Sequence, residues 1–249
     1  MCLIAWSWQP DSSSPLLLLG NRDEFYARPT MPLHWWEDAQ VLAGRDLHGG
    51  GTWLGVSKSG RMAALTNFRD TSNFRADAPS RGALVTQFLM GQQSALAYLE
   101  EMAKTRSDYN PFNLLVYDGE IFLALESRSD QIFSIAPGIG AVSNADIDTP
   151  WPKVEKIRSG LAQRQLQQQL DMDDALWDFL QDKEPADDLL LPQTGISLER
   201  ERALSPIFIR TADYGTRSST LLRIHAKGFT MKERTFDATG LTGHAEFSL

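Results

Sequence analysis

The opening of the chain confines it to an antiparallel β architecture. Cys2 to Trp8 is a short apolar stretch with β character, Pro10 to Ser14 is a turn, and Leu16 to Leu19 is a continuous apolar run. That run meets Gly20 and then the polar cluster Asn21-Arg22-Asp23-Glu24. Such a pattern predicts a hairpin of two buried strands whose second strand ends in a polar site. Antiparallel pairing sets the far end of the second strand beside the start of the first. Topology alone therefore carries Arg22 and Asp23 toward Cys2.

The rest of the chain repeats the theme. Pro29 and Pro32 predict irregular chain, and Val41 to Ala43, Thr52 to Ser57 and Met62 to Thr66 are strand candidates separated by glycines. Ser80 to Lys104 predicts one helix, with Leu84, Val85, Phe88, Leu89, Leu96, Leu99 and Met102 at three-to-four spacing. Strands are expected at 113–117, 120–126, 131–135 and 140–143, the first two joined by the hairpin signal Asp118-Gly119. Helices are expected at Trp151 to Leu170 and Asp173 to Gln181, the second with Asp174 favourably placed for the helix dipole. An exposed connection is expected from Lys183 to Arg202, then strands at 206–210, 218–226 and 229–236. No βαβ alternation, internal repeat or linker stands out. The expectation is one α+β unit over residues 1–249, with antiparallel sheet and helices on its outer faces, not a Rossmann or TIM layout.

Charge and length remove several classes of function. The 249 residues carry a net charge of -8, against sequence-independent nucleic-acid binding. No segment reaches the roughly 18–20 apolar residues of a membrane span, and Met1 to Gln9 has no basic stretch of a secretory signal. A cytoplasmic location is the expectation. Cys2 is the only cysteine, which excludes an intramolecular disulfide or a multi-cysteine zinc site. The four histidines, His34, His48, His225 and His244, lack metal-ligand spacing, so no metal is expected.

Cys2 follows Met1 directly, and a small second residue favours removal of the initiator methionine. The new terminus would carry a thiol nucleophile and an α-amine with a pKa of about 8 that serves as its base. The alternative is a small apolar residue opening a buried strand. An arginine beside Cys2 would lower its thiol pKa, and a carboxylate would hold the α-ammonium. The glycine-rich stretch Asp46-Leu47-His48-Gly49-Gly50-Gly51-Thr52-Trp53 is either a loop that lets backbone approach a ligand or a tight turn. No G-x-S-x-G elbow or Walker loop accompanies it. Asn67, before Phe68-Arg69, and Asn144 each close a strand, as oxyanion donors or as turn formers. Arg217 is either a carboxylate or phosphate ligand or a hairpin arginine. His34-Trp35-Trp36 is an aromatic patch for a planar ligand, a core or an interface. Exposed aromatics at Trp35, Trp36 and Trp53 would mark a ligand mouth or a dimer face.

Met-Cys-Leu-Ile, Gly20-Asn21-Arg22-Asp23-Glu24-Phe25, Arg28-Pro29, Gly44-Arg45-Asp46, Gly50-Gly51-Thr52-Trp53-Leu54-Gly55, Thr66-Asn67-Phe68-Arg69, Ser143-Asn144 and Gly215-Thr216-Arg217-Ser218-Ser219-Thr220 together resemble the NRDE family, the transport and Golgi organisation protein 2 family. The match runs nearly end to end. That family is similar to N-terminal-nucleophile (Ntn) hydrolases of the choloylglycine hydrolase and penicillin V acylase type. The resemblance implies a four-layer αββα sandwich, with Cys2 as nucleophile and Asp23 holding the amine beside Arg22. It makes Asn67 and Asn144 oxyanion donors and Arg217 a late arginine near the nucleophile. In those hydrolases the arginine precedes the aspartate by three residues, whereas Arg22 and Asp23 are adjacent here, so Glu24 is able to share their roles. The expected ligand is an acyl amide, an acyl-coenzyme A or haem, with Asn21, Glu24, His34, Trp35, His48, Gly50, Gly51, Trp53 and Arg69 around it. No cofactor is required for hydrolysis. The resemblance also implies a non-enzymatic alternative in haem trafficking or lipid metabolism, with Cys2, His34 or His48 as iron ligands, and a homo-oligomer is possible.

Overall fold

A computed structural model describes residues 2–37, 39–72 and 74–249. The opening hairpin is β1 (Cys2–Trp8) and β2 (Leu16–Phe25), followed by β3 (Thr30–Trp35), β4 (Val41–Asp46), β5 (Leu54–Ser57) and β6 (Met62–Asn67). Two helices, α1 (Gly82–Met90) and α2 (Ala95–Thr105), lead to β7 (Phe112–Tyr117), β8 (Phe122–Glu126), β9 (Gln131–Ser134) and β10 (Gly138–Val142). Then come α3 (Pro152–Leu166), α4 (Asp173–Leu180), α5 (Leu198–Leu204), β11 (Tyr214–His225), β12 (Gly228–Asp237) and β13 (Gly240–Ser248).

The strands form two antiparallel sheets, and the chain is α+β. One sheet runs β10-β1-β2-β11-β12-β13, and the other is a seven-stranded meander from β3 to β9. Strand alternation sorts the side chains into three cores. Ile4, Trp6 and Trp8 of β1 join Leu16 and Leu18 of β2 against Leu115 and Phe122 between the sheets. Leu3, Ala5, Leu17 and Leu19 face the other way, onto Val154, Ile157 and Leu161 of α3 and Leu176 of α4. Helices α1 and α2 cover the outer face of the meander through Leu84, Phe88 and Leu99. The order of layers is therefore helix, sheet, sheet, helix. β1 is buried at every position because both its faces are covered. Each fully buried Leu or Ile there is worth about 1.5–3 kcal/mol. No helix among the described residues is long and apolar enough to cross a membrane.

Several expectations are corrected. The helix expected over 80–104 is two helices. Gly91 adopts an extended conformation at the end of α1, and Ser94 starts α2 by accepting a hydrogen bond from the Ala97 N–H. The apolar spacing runs through the break because both helices lie on one sheet face. Pro32 lies within β3 rather than irregular chain. The strand is at a sheet edge and its register shifts between Met31 and His34, so the missing N–H is tolerated. The stretch 206–210 is buried like a strand but makes only an isolated bridge from Arg210 to Gly215. The connection over 183–202 contains most of α5, whose Glu201 is buried. β13 was missed because, as an edge strand, it is largely exposed and lacks an apolar run.

The glycine-rich stretch lies where α1 meets the meander. A Cβ on Gly51 would overlap the backbone carbonyl group of Gly82 at the start of α1. Because backbone cannot swing aside as a side chain can, Gly51→Ala is expected to cost about 2 kcal/mol. For a chain of this size that lowers Tm by roughly 4–8 °C, read by thermal unfolding.

Candidate active site

The β1–β2 register places Cys2 opposite Arg22. Because Ile4 and Trp6 face the space between the sheets, Cys2 faces it too, and it lines a cleft of about 1060 Å³ at this end of the sandwich. The cleft wall takes Arg22 and Glu24 from β2, Arg45 and Asp46 from β4, Trp53, and Asn67 from the end of β6. Cys2 is buried, and that burial pushes its thiol pKa up. The nearby Asp23 charge pushes the same way, and the Arg22 guanidinium opposes both without prevailing. Arg22 thus lowers the thiol pKa as expected, but desolvation outweighs it.

Asp46 organises the mouth. Its Oδ2 accepts from Arg22 Nη2 at 3.2 Å and Arg28 Nε at 2.8 Å, while its Oδ1 accepts from the N–H groups of His48 and Gly49, both at 3.0 Å. Burial opposes its ionisation, yet the Gly49 N–H and Arg28 hold its carboxyl below the usual range. The turn continues through Gly50, whose φ of +74° suits glycine. Arg22 Nη1 has no hydrogen-bond partner among the described residues. Glu24 accepts from the Phe25 N–H and lies 3.8 Å from Arg28.

Asp23 lies one residue beyond Arg22; strand alternation turns its carboxyl toward the helical side, and the residue also lines the cleft. Its Oδ1 accepts from Thr216 Oγ1 at 2.7 Å, and its backbone carbonyl accepts from the Tyr214 hydroxyl at 2.8 Å. Burial pushes its carboxyl pKa up, opposed first by the charge of Lys153.

The other expected site residues separate into two groups. His48, Gly51, Trp53, Asn67 and Arg217 line the cleft. Asn144 is buried, and its Nδ2 donates to the Asn67 carbonyl at 2.8 Å. Arg217 is the extra residue at a bulge in β11. Its Nη1 donates to the carbonyls of Phe25, Tyr26 and Arg28, each at 3.0 Å, clamping the turn after β2. Asn21 points into the helical side, donating to the carbonyls of Leu180 (2.8 Å) and Ile207 (2.9 Å) and accepting from Ser219 (2.6 Å). His34 and Trp35 stand outside the cleft, His34 with Nδ1 2.7 Å from the Pro32 carbonyl and Trp35 against Phe229. Arg69 pairs with Glu201 at 2.7 Å and stacks on Trp151.

Sequence reasoning missed Arg75, Arg81, Glu233 and Lys153. Arg75 and Arg81 line the cleft from the stretch before α1, and burial pulls Arg81 down to about 10. No local pattern marks either residue. Glu233 lines the cleft from β12 and accepts from the Leu33 N–H at 2.7 Å. Burial pushes its pKa up to about 7, against that hydrogen bond and one to Ser218. Cys2, His48 and His244 are the thiol and imidazole groups of the wall. No cluster of three or more metal-ligating side chains occurs among the described residues.

With this geometry established, comparison with known proteins is informative. Residues 1–238 match the family described as Transport and Golgi organisation 2. A homologue of that protein from Bos taurus is 34% identical, the alignment covering 94% of this chain and 93% of the homologue. The Homo sapiens homologue is 31% identical with the same coverage. The chain belongs to this family. Among solved structures, two variants of the conjugated bile acid hydrolase from Clostridium perfringens superpose with TM-scores of 0.51 and 0.50 at 9% identity. Each comparison covers 100% of this chain and 96% of the other. The fold is that of an Ntn hydrolase.

Two expectations follow. Asn21→Ala leaves two buried carbonyls without their donor, and is expected to cost about 3 kcal/mol, lowering Tm by roughly 6–12 °C in a thermal melt. Glu233 titrates higher folded than unfolded, so its contribution is full below its unfolded pKa and is lost as pH rises through about 7. Glu233→Gln keeps an acceptor for Leu33. It is expected to match the parent near pH 4 and to exceed it above pH 8 by on the order of 2 kcal/mol in denaturant melts.

Proposed function

We propose that the protein is an N-terminal cysteine hydrolase that cleaves an amide or thioester of a small acyl compound in the cleft at Cys2. The observation that supports this reading is the register pairing Cys2 with Arg22, with Asp23 next along β2, in an Ntn-hydrolase fold. Removal of Met1 frees the α-amine of Cys2. The thiol proton passes to that amine as sulfur bonds to the carbonyl carbon. The tetrahedral oxyanion forms near Asn67, which lines the cleft, while Asn144, buried behind it, holds the Asn67 carbonyl. Collapse breaks the C–N or C–S bond, and the leaving group takes the proton from the α-ammonium. Water then attacks the acyl thioester, gives its proton to the amine, and releases the carboxylic acid and free Cys2. A thiol whose pKa is raised by burial needs such a base, which agrees with the direction of the shift at Cys2.

The cleft chemistry bears on the acyl compound. Arg22, Arg28, Arg45, Arg75, Arg81 and Arg217 line it beside Asp23, Glu24, Asp46, Glu233 and Asp237, and among the described residues no lysine does. Guanidinium groups suit carboxylates and phosphates bidentately, so an acyl group on an anionic carrier, such as an acyl-coenzyme A, fits. The same arginines favour a second reading: a carrier that binds acyl-coenzyme A, or haem through its propionates, without turnover. Cys2, His48 and His244 would then be the available iron ligands.

The two readings part on Cys2. With acyl-coenzyme A thioesters and acyl amides as probes, Cys2→Ala is expected to fall to the uncatalysed background and Cys2→Ser to retain a small fraction of the rate. Full turnover in Cys2→Ala removes the hydrolase reading. Stoichiometric binding without turnover in the parent, with Cys2 exposed as the terminus by intact mass, favours the carrier.

A further inference from the structure

A buried lysine stands behind the nucleophile, outside the cleft. Lys153 is the second residue of α3 and is 3% exposed. Its Nζ has no hydrogen-bond partner among the described residues. An ammonium buried without partners is strongly disfavoured unless an anion lies close. Helix α3 rests on β1 and β10, and Val154, next to Lys153, packs with Leu3 and Leu19. Along β2 the residues facing this helical layer are Leu17, Leu19, Asn21 and then Asp23, held by Thr216. Lys153 and Asp23 thus approach from two elements, and Asp23 gives the largest attraction that offsets burial of the lysine.

The charged and titratable groups around this spot are few. Asp23 comes from β2 and Cys2 from β1. Arg69 follows β6 and is itself paired with Glu201 of α5. Tyr214 of β11 donates to the Asp23 carbonyl, and Arg22 acts on Asp23 from the cleft side.

We infer that Lys153 is a positioning residue whose charge, set behind Asp23, keeps the Cys2 α-amine free to act as a base at neutral pH. The inference rests on the hydrolase reading above. Asp23 attracts both positive charges, but the two repel each other, so the second to form is stabilised less than the first. With Lys153 charged, Asp23 is already compensated and an ammonium at Cys2 is disfavoured. Without Lys153, Asp23 holds the Cys2 amine protonated, and a protonated amine cannot take the thiol proton. Burial pulls Lys153 itself down to about 8, so it remains largely charged at neutral pH.

The test needs no substrate. Parent, Lys153→Met and Lys153→Arg proteins are treated with a methionine aminopeptidase until the intact mass reports a Cys2 terminus. The Cys2 thiol is capped as a methyl disulfide, and acylation of the Cys2 α-amine by an N-hydroxysuccinimide ester is followed against pH on the N-terminal peptide, with Tm recorded in parallel. Lys153→Met is expected to raise the midpoint by about one pH unit, or about tenfold slower acylation near neutrality. Lys153→Arg keeps the charge and is expected to keep the parent midpoint. If Lys153→Met does not fold, Lys153→Gln is read in the same way. A lowered Tm with an unmoved midpoint reduces Lys153 to a structural role and overturns the inference. Failure of the hydrolase reading registers separately, as no turnover of acyl substrates by a parent protein whose α-amine titration still depends on Lys153.

Discussion

The structure depends on a single ladder, the pairing of β1 with β2. Seven consecutive pairs, from Cys2 with Arg22 to Trp8 with Leu16, fix which residues face the second sheet and which face the helices. Because the side-chain period in a strand is two, a slip of β1 by one residue would turn Leu3 toward the sheet interface and Ile4 toward α3. Both faces are buried, so both sets of contacts resist the slip. The apolar half of the hairpin therefore sets the position of its polar end, and Arg22 and Asp23 are placed by packing many ångströms from themselves.

Burial then decides the electrostatics. Cys2, Asp23, Lys153 and Glu233 are all pushed toward their neutral forms by desolvation. A guanidinium resists neutralisation better than an ammonium does. The cleft wall accordingly carries arginines, while Lys153 lies buried behind the sheet. Asp46 shows the complementary solution. It lies at the mouth and accepts four hydrogen bonds from two arginines and two backbone N–H groups, so it stays ionised and ties the glycine turn to β2.

How much of this was legible in the sequence follows from the range of each interaction. The β1–β2 hairpin, most of the meander and the outer helical layers rest on local apolar periodicity and were readable. By contrast, Pro32 of β3 read as irregular chain, and the break between α1 and α2 was hidden by apolar spacing that runs through it. Cys2, Arg22 and Asp23 were readable as neighbours because hairpin topology alone brings them together. Asn21 was not readable as a structural residue: its partners Leu180 and Ile207 lie 159 and 186 positions away. Arg217 reads from sequence as either a ligand for an anion or a hairpin arginine, and its visible engagement is with three carbonyls of the turn after β2. Lys153 left only a faint trace, a charge next to Pro152 on a helix face that must be buried. His34 and Trp35 looked available for a ligand because an edge strand and a cleft wall share the same composition.

The alternation that shapes the core also divides the chemistry. Cys2 sends its side chain to the cleft side of the sheet, while Asp23 sends its own to the helical side. The backbone nitrogen of Cys2 lies at the strand end, in the plane between them. On the hydrolase reading, an amine freed there meets both environments, the thiol in the cleft and the charges held behind the sheet. Asp23 lines the cleft as well, so of the two buried charges Lys153 alone would act on that amine from outside the cleft wall.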